Sequence, residues 1–289
     1  MKRIAFILIC LFSISSSCKK EIPQNSILGT TTGKQNFKSE LSGSRAETYD
    51  LLFEDTHGVI SFKASRPYQN QSSTTWHCYA TFCRNLWASY TTANRVYENV
   101  GRVKIDNFQL PIESHNGYLV RDFSESENTF RSFYGNTVNF SIQGSETSGY
   151  QAQQTQLYIP KQLNAIFNDN GQTYFGRPAI SRNSGLQLKW TADASNSKGV
   201  VIRIENQYAI NEQGMPDMSK YVNHATNFIL ADDDGDYTFT ADDFKDIPAK
   251  HELLITVMRG NAIITANTNR KVKLYGGEEV FCSQYLIND

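Results

Sequence analysis

Short segments in which apolar and polar residues alternate recur along the chain from residue 48 onward. The clearest lie at 59–64, 76–82, 138–142, 186–190 and 200–205. Such alternation predicts half-buried β-strands, because successive side chains of a strand point to opposite faces of its sheet. Segments with helical periodicity are nearly absent, and aromatic and β-branched residues, which favour strands, are plentiful. The pattern predicts an all-β protein.

Turn residues separate these segments at fairly regular intervals. Asp106-Asn107 and Asn116-Gly117 predict tight turns between neighbouring strands. Many short strands at this spacing are typical of β-sandwiches and barrels. A stretch rich in Asn, Asp, Gly and Pro at 167–184 predicts a boundary. We therefore expect two β-sandwich-like domains, an N-terminal one at 48–178 and a C-terminal one at 179–289.

The second expected domain starts with an apolar-polar strand that ends on Trp190. A polar turn follows at 193–199, and an alternating strand follows at 200–205. This order resembles an immunoglobulin or fibronectin type III domain, and the resemblance covers about the last 105 residues. It implies that 179–289 forms an Ig/FN3-like β-sandwich.

The densest acidic run of the chain lies at 232–236. An EF-hand loop with its glycine at Gly235 would need an acidic residue where Leu230 stands, so that calcium motif fails. The Asp-Gly pair instead predicts a hairpin turn between two strands. A calcium site of another type, with Asp242 or Asp243 as a further ligand, is the alternative.

The first residues have the pattern of a secretory signal peptide. Lys2 and Arg3 precede an apolar run at 4–14, and three serines then lead to Cys18. A membrane-spanning helix needs roughly 20 apolar residues, and this run is shorter. The pattern therefore predicts export from the cytosol.

The apolar run that ends on Cys18 resembles the lipobox of bacterial lipoproteins, in the relaxed form found in the Bacteroidota. The resemblance implies that a signal peptide of residues 1–17 is removed and that Cys18 carries acyl chains such as palmitate, which anchor the protein to the outer membrane. The following Lys19-Lys20-Glu21 resembles an export tag and implies exposure on the cell surface. Residues 18–47 are polar and predict a flexible tether. An ordinary secreted protein is the alternative.

Composition narrows the partners of the chain. Its formal net charge is −1, and it contains no long basic run. Nucleic-acid binding requires a concentration of Lys and Arg on one surface, so we expect no nucleic-acid partner. The membrane, through the lipid anchor, is the partner that the sequence indicates most directly.

Three cysteines follow Cys18, at positions 78, 83 and 282. If 76–83 is one strand, Cys78 and Cys83 point to opposite faces with their Cα atoms about 17 Å apart. A disulfide needs Cα atoms within about 7 Å of each other, so a bridge would require a loop between the two residues. The spacing favours buried thiols. Because no C-x-x-C pair is present, we expect no zinc site.

Three short motifs resemble catalytic or ligand-binding signatures without meeting their requirements. The segment 29–34 is one residue short of a phosphate-binding loop, and 144–149 has the wrong spacing for a nucleophile elbow. The segment that begins at His251 lacks the second histidine of a zinc protease. We therefore predict no enzyme activity, no cofactor and no metal.

Aromatic residues cluster between residues 76 and 97. Exposed rings can stack on the faces of sugars, and Trp87 and Tyr90 are our candidate ligand-stacking residues because they fall in the polar stretch 84–99. The alternative is that the cluster fills the core of the first domain, since aromatic residues dominate core burial.

Together these features predict a lipid-anchored binding or interaction protein of the cell envelope, with a glycan or an envelope protein as its partner. A structural component of an outer-membrane complex is the alternative. A glycan hydrolase is a less favoured reading, because carboxylate pairs that meet only in space leave no signature in the sequence.

Overall fold

A computed structural model describes residues 56–67, 74–84, 97–113, 116–121, 127–168, 171, 173–174, 176–183, 186–221 and 226–286. The signal peptide, Cys18 and the tether lie outside the described residues and stay predictions. Within the described part of the chain, no helix is long and apolar enough to cross a membrane. The protein is all-β, as predicted, with several sheets that pack as sandwiches.

The described residues form seventeen strands and two short helical segments. The strands are β1 (Gly58–Pro67), β2 (Thr75–Phe82), β3 (Val103–Ile105), β4 (Phe108–Gln109), β5 (Tyr118–Arg121), β6 (Asn136–Ile142), β7 (Gln153–Ile159), β8 (Ile166–Asn168), β9 (Thr173–Tyr174), β10 (Arg177–Ile180), β11 (Gln187–Lys189), β12 (Val200–Ile210), β13 (Pro216–Tyr221), β14 (Thr226–Ala231), β15 (Asp236–Thr238), β16 (His251–Asn267) and β17 (Arg270–Leu286). The helical segments are α1 (Glu127–Arg131) and a 3-10 turn (Ala241–Phe244).

These strands form one large sheet and two small ones. The large sheet has ten strands, with the central order β13-β12-β16-β17-β1-β2-β5, and β14, β10 and β9 extend it. One small sheet has the order β4-β3-β6-β7, and the other has the order β15-β11-β8. Strands β1 and β10 run parallel to β17, and the other described pairs are antiparallel.

Two apolar cores lie between the large sheet and the small ones. The first core joins β1 and β2 to β3, β6 and β7, and includes Phe62, Trp76, Phe140 and Ile159. The second core joins β12, β16 and β17 to β8 and β11, and includes Leu188, Ile204, Ile255 and Val280. Each core therefore lies between the two sheets of a β-sandwich.

The alternation that predicted the strands matches the burial of their side chains. On β1, Ile60, Phe62 and Ala64 are all buried in the first core. On β2, the predicted inward set of Trp76, Cys78, Ala80 and Phe82 is buried as well. Cys83 and Cys282 are also buried, so all three predicted buried thiols have that environment.

One long hairpin connects the two sandwiches. Strands β16 and β17 each have 17 residues, and their register pairs Arg259 with Glu278 at the middle. The first half of β17 contributes Leu274 to the first core, and the second half contributes Val280 to the second core. Since β17 also pairs with β1, the predicted boundary at residue 178 does not separate two independent sheets. The Ig/FN3 resemblance stays a prediction.

The turn at 232–236 differs from its prediction as a hairpin. Strand β14 before it pairs with β12 of the large sheet, whereas β15 after it pairs with β11 of a small sheet. The turn therefore crosses from one face of the second sandwich to the other. Gly235 has φ +101°, which favours glycine, and a Cβ there would lie 2.9 Å from the carbonyl oxygen of Trp190.

Candidate ligand-binding cleft

A polar cleft of about 530 Å³ opens at one end of the first sandwich. The turns before β3, before β5 and after β6 form its walls. Most described residues that line it carry amide or hydroxyl groups: Tyr97, Asn99, Asn116, Gln143, Ser145, Thr147 and Ser148. Arg84 and Glu98 add an ion pair to this lining. Its volume falls within the range of about 300–1,000 Å³ that is usual for small-molecule sites.

Two glycines make the walls of the cleft meet closely. Gly101 and Gly144 have φ values of +78° and +84°, a region that residues with a Cβ rarely adopt. A Cβ on Gly101 would lie 2.9 Å from the carbonyl oxygen of Gly144, and one on Gly144 would lie 2.5 Å from the backbone nitrogen of Ala152. The close contact of these backbones therefore depends on both glycines.

Two of the three amide side chains of the cleft, those of Asn99 and Gln143, are held through their oxygen atoms, whereas Nδ2 of Asn116 donates to the carbonyl oxygen of Tyr97. Oδ1 of Asn99 accepts a hydrogen bond of 2.9 Å from the backbone N–H of Gly101. Oε1 of Gln143 accepts one of 3.0 Å from the backbone N–H of Arg102. The amide nitrogens are then the donors that these two side chains can offer to a ligand.

A buried tyrosine supports the same wall from behind. The Tyr118 hydroxyl donates to the carbonyl oxygen of Gly101 over 2.6 Å and accepts from the backbone N–H of Val100 over 3.1 Å. Burial raises the pKa of Tyr118, so this hydroxyl stays protonated and keeps its role as a donor.

An ion-pair network lies at one side of the cleft. The Glu98 carboxylate accepts from Nε of Arg84 over 3.3 Å and from a terminal nitrogen of Arg270 over 2.5 Å. The guanidinium of Arg270 also lies 4.4 Å from the centre of the Tyr150 ring. Burial alone would lower the pKa of Arg270, but the contacts with Glu98 and Tyr150 raise it above its ordinary value. Burial also raises the pKa of Tyr150, to about 12.

The predicted stacking residues lie between two described residues of the cleft in the sequence, and the structure does not describe them. Trp87 and Tyr90 belong to residues 85–96, which are outside the described residues. The two residues that flank this segment, Arg84 and Tyr97, both line the cleft. Cys83 and Tyr97, which are described residues on either side of the segment in the sequence, form an isolated β-bridge.

The described residues of the predicted aromatic cluster differ in burial. Trp76 and Phe82 are buried in the first core, where Trp76 stacks on Phe62 with ring centres 6.0 Å apart. Tyr79 and Tyr97 are half-buried. The core interpretation of the cluster therefore holds for Trp76 and Phe82.

Asp233 and His251, which belong to the two metal-like motifs of the sequence, have other roles in the structure. Asp233 accepts hydrogen bonds from Nε1 of Trp190 and from Nδ2 of Asn196, each within 2.9 Å, and pairs with Arg259. His251 is buried at the start of β16. Among the residues that the structure describes, no group of three or more His, Cys, Asp or Glu could hold a metal ion.

The sequence did not predict the cleft, although the segment that forms one of its walls resembles a catalytic motif. The segment 144–149, which has the wrong spacing for a nucleophile elbow, is a tight turn closed by a bridge between Ser145 and Tyr150. Its hydroxyl residues line the cleft. Hydroxyl residues enclosed by two glycines were the available signal, but nothing in the sequence connects them to Arg84 or Asn116.

No protein-family model matches this chain, and no curated protein matches its sequence.

Proposed function

We propose that this protein is a lipid-anchored binding protein of the cell envelope whose polar cleft binds a glycan, without catalysis. The observation that carries the proposal is the lining of the cleft. Seven residues with amide or hydroxyl side chains line one space of about 530 Å³. Sugars are rich in hydroxyl groups, each of which can both donate and accept a hydrogen bond, so this lining is complementary to a sugar.

The segment between Arg84 and Tyr97 supplies two aromatic residues for the apolar contact that glycan binding uses. A sugar ring has a face of C–H groups that packs on flat aromatic rings. Trp87 and Tyr90 lie between Arg84 and Tyr97 in the sequence, and both of those residues line the cleft. We propose that Trp87 and Tyr90 stack on the ligand that the cleft binds.

Isothermal titration calorimetry tests the role of the cleft, after a glycan array has identified a binding oligosaccharide. We expect Gln143→Ala, Trp87→Ala and Tyr90→Ala each to weaken binding about tenfold, since each removes a contact worth about 1.4 kcal/mol. Gln213→Ala is the matched control, because Gln213 is exposed in a turn of the second sandwich. Unchanged affinity in all three variants would exclude the cleft, and an array without any bound glycan would exclude glycan binding.

The anchor is tested separately in cells of a bacterium that acylates lipoproteins. We expect the protein to incorporate an alkyne-labelled fatty acid and to sediment with the outer membrane. Cys18→Ser should abolish both properties, because the thiol is the proposed attachment point. Labelling that persists in the Cys18→Ser variant would contradict the anchor at this residue.

A structural role in an envelope complex is the second candidate, and a small apolar cluster favours it. Val201 is packed with Phe228, Leu230 and Met258 in a cluster that is separate from the two cores. The last three side chains are only partly buried. Cross-linking in intact cells should then capture a stable neighbour, and replacement of Phe228 and Leu230 by Ser should remove it.

A further inference from the structure

The ion-pair network beside the cleft contains two cations and one anion, although Arg270 is not among the described residues that line the cleft. Two guanidinium groups, those of Arg84 and Arg270, share the single carboxylate of Glu98. The Glu98 side chain is only 6% exposed, whereas that of Arg84 is 68% exposed. The solvent-facing member of this network is therefore a cation, and the anion lies behind it.

Arg84 contacts Glu98 through one edge of its guanidinium. The contact uses Nε, at 3.3 Å from Oε1, so it does not occupy the edge formed by the two terminal nitrogens. Those nitrogens carry parallel N–H groups whose spacing matches the two oxygens of a carboxylate. Arg270 donates to the other oxygen of Glu98, Oε2, which fixes the carboxylate that orients Arg84.

Lys271 follows Arg270 on β17 and is a further cation near this network. Burial, and then the charges of Arg270 and Lys271, lower the pKa of His57, so its imidazole is neutral and adds no positive charge. Exposed carboxylates do occur in the adjacent turns, at Glu113 and Glu146. Neither of these two is among the described residues that line the cleft.

We infer that the cleft is selective for acidic glycans, with Arg84 binding a sugar carboxylate through its two terminal nitrogens. This inference rests on the proposed glycan binding and names the class of glycan. Asn99 and Gln143 then donate to the hydroxyl groups of the same sugar. Glu98 and Arg270 are positioning residues, because they act on the ligand through Arg84.

A matched pair of probes tests this inference on the full mature chain. One probe is an oligosaccharide that contains glucuronic acid, and the other is the same oligosaccharide after reduction of its carboxyl groups to alcohols. We expect calorimetry to show that the acidic probe binds at least about tenfold more tightly than the reduced probe, since its carboxylate accepts charge-assisted hydrogen bonds from Arg84. Added salt should weaken binding of the acidic probe and leave the reduced probe nearly unaffected.

Variants of Arg84 assign the preference to this side chain. Arg84→Gln should bind the two probes equally and keep the affinity of the wild type for the reduced probe. Arg84→Lys should restore part of the preference, because it keeps the charge but loses the paired donors. Arg131→Gln, which removes a partly exposed arginine away from the cleft, should retain the full preference. Unfolding midpoints of all variants verify that they are folded.

The outcomes separate this inference from the proposed function. If the wild type binds both probes equally, or if Arg84→Gln keeps the preference, the inference is wrong. In that case weaker binding of both probes by Gln143→Ala would still support a glycan cleft. If the wild type binds neither probe and no glycan on the array, the proposed function fails together with the inference.

Discussion

Glu278 and Glu279 are neighbours on β17, and their carboxylates lie on opposite faces of the large sheet in opposite electrostatic environments. Glu278 is 1% exposed and points toward the junction of the two cores. Its Oε2 accepts a hydrogen bond from the backbone N–H of Leu163, and its Oε1 lies 3.0 Å from Nε of Arg66 without a well-aligned hydrogen bond. Burial therefore outweighs the pairing and raises the pKa of Glu278.

Glu279 has the opposite balance. One of its oxygens lies 2.8 Å from Nζ of Lys63 and accepts a hydrogen bond of 2.8 Å from the Ser65 hydroxyl. Burial alone would raise the pKa of Glu279, but Lys63 and Ser65 favour its charged form more strongly. The pKa of Glu279 is therefore lowered from its ordinary value of 4.5.

These two shifts predict opposite effects of pH on stability. A lowered pKa stabilises the fold above pH 4.5, and that contribution is lost as pH falls through the folded pKa of Glu279. A raised pKa stabilises the fold below pH 4.5, and that contribution is lost as pH rises through the folded pKa of Glu278. Glu279→Gln should therefore destabilise the protein most at neutral pH, whereas Glu278→Gln should gain stability relative to the wild type as pH rises.

Urea unfolding of the wild type and both variants, from about pH 3 to about pH 8, measures this difference. Each variant serves as the control for the other, because both remove one carboxylate from the same strand. Stability curves that stay parallel for all three proteins would show that neither carboxylate has the assigned environment.

The ion pair between Asp233 and Arg259 is the second source of predictions. A terminal nitrogen of Arg259 lies 3.1 Å from Oδ1 of Asp233, and the two side chains are 2% or less exposed. Arg259 also donates to the carbonyl oxygens of Lys161 and Thr191. The pair thus connects the long hairpin to the turn that crosses the second sandwich.

Removal of Asp233 should remove the carboxylate that forms the ion pair with the buried guanidinium of Arg259. We expect Asp233→Ala to lower the free energy of unfolding by about 3–5 kcal/mol. Glu127→Ala is the matched control, because Glu127 pairs with Arg131 on α1 while both side chains are about 40% exposed. An exposed i,i+4 pair of this type contributes only about 0.3–0.5 kcal/mol. Similar losses in the two variants would contradict the burial of the first pair.

Alternation predicted most strands of the described chain, but not how those strands combine. The sequence pattern divides β16 and β17 into shorter strands, because Arg259, Gly260, Gly276 and Gly277 interrupt the apolar repeat. Those interruptions mark the junction where a charged network and closely packed backbone replace the apolar core. Periodicity indicates only whether a side chain faces inward, so it cannot show that β16 and β17 form one hairpin that belongs to both sandwiches.

The cleft was beyond prediction for a related reason. Glu98 and Arg270 are 172 positions apart, and their contact depends on the pairing of β17 with β1. Neither residue belongs to a local motif. Cys18, Trp87 and Tyr90 could be named from local composition alone, and they lie outside the described residues, so they stay predictions.

The buried thiols lead to a third prediction. Burial raises the pKa of Cys78 well above its ordinary value, and Cys83 and Cys282 are buried as well. A thiol reagent reacts only with a thiolate that it can reach. The native protein should therefore react with such a reagent roughly 100-fold more slowly than the urea-unfolded protein. Ser283→Cys, at an exposed position of β17, should add one fast-reacting thiol. Three fast-reacting thiols in the native wild type would contradict the burial.

Close packing at the junction gives the last prediction, which concerns Gly276 and Ile159. A Cβ on Gly276 would lie 1.9 Å from Cδ1 of Ile159, and Ile159 is fully buried. Gly276→Ala should therefore destabilise the protein by about 1–3 kcal/mol through overpacking. Ile159→Val removes Cδ1 and should alone cost about 0.5–1.5 kcal/mol.

The double variant distinguishes a steric clash from a general effect of alanine in a strand. Because Ile159→Val removes the atom that clashes, the combined loss should be smaller than the sum of the two single losses by at least about 0.5 kcal/mol. Gly117→Ala is the control, since a Cβ at that position would meet no atom within 4 Å. It should change the free energy of unfolding by less than about 0.5 kcal/mol. Additive losses in the double variant would mean that β7 and β17 do not pack against each other as closely as the structure shows.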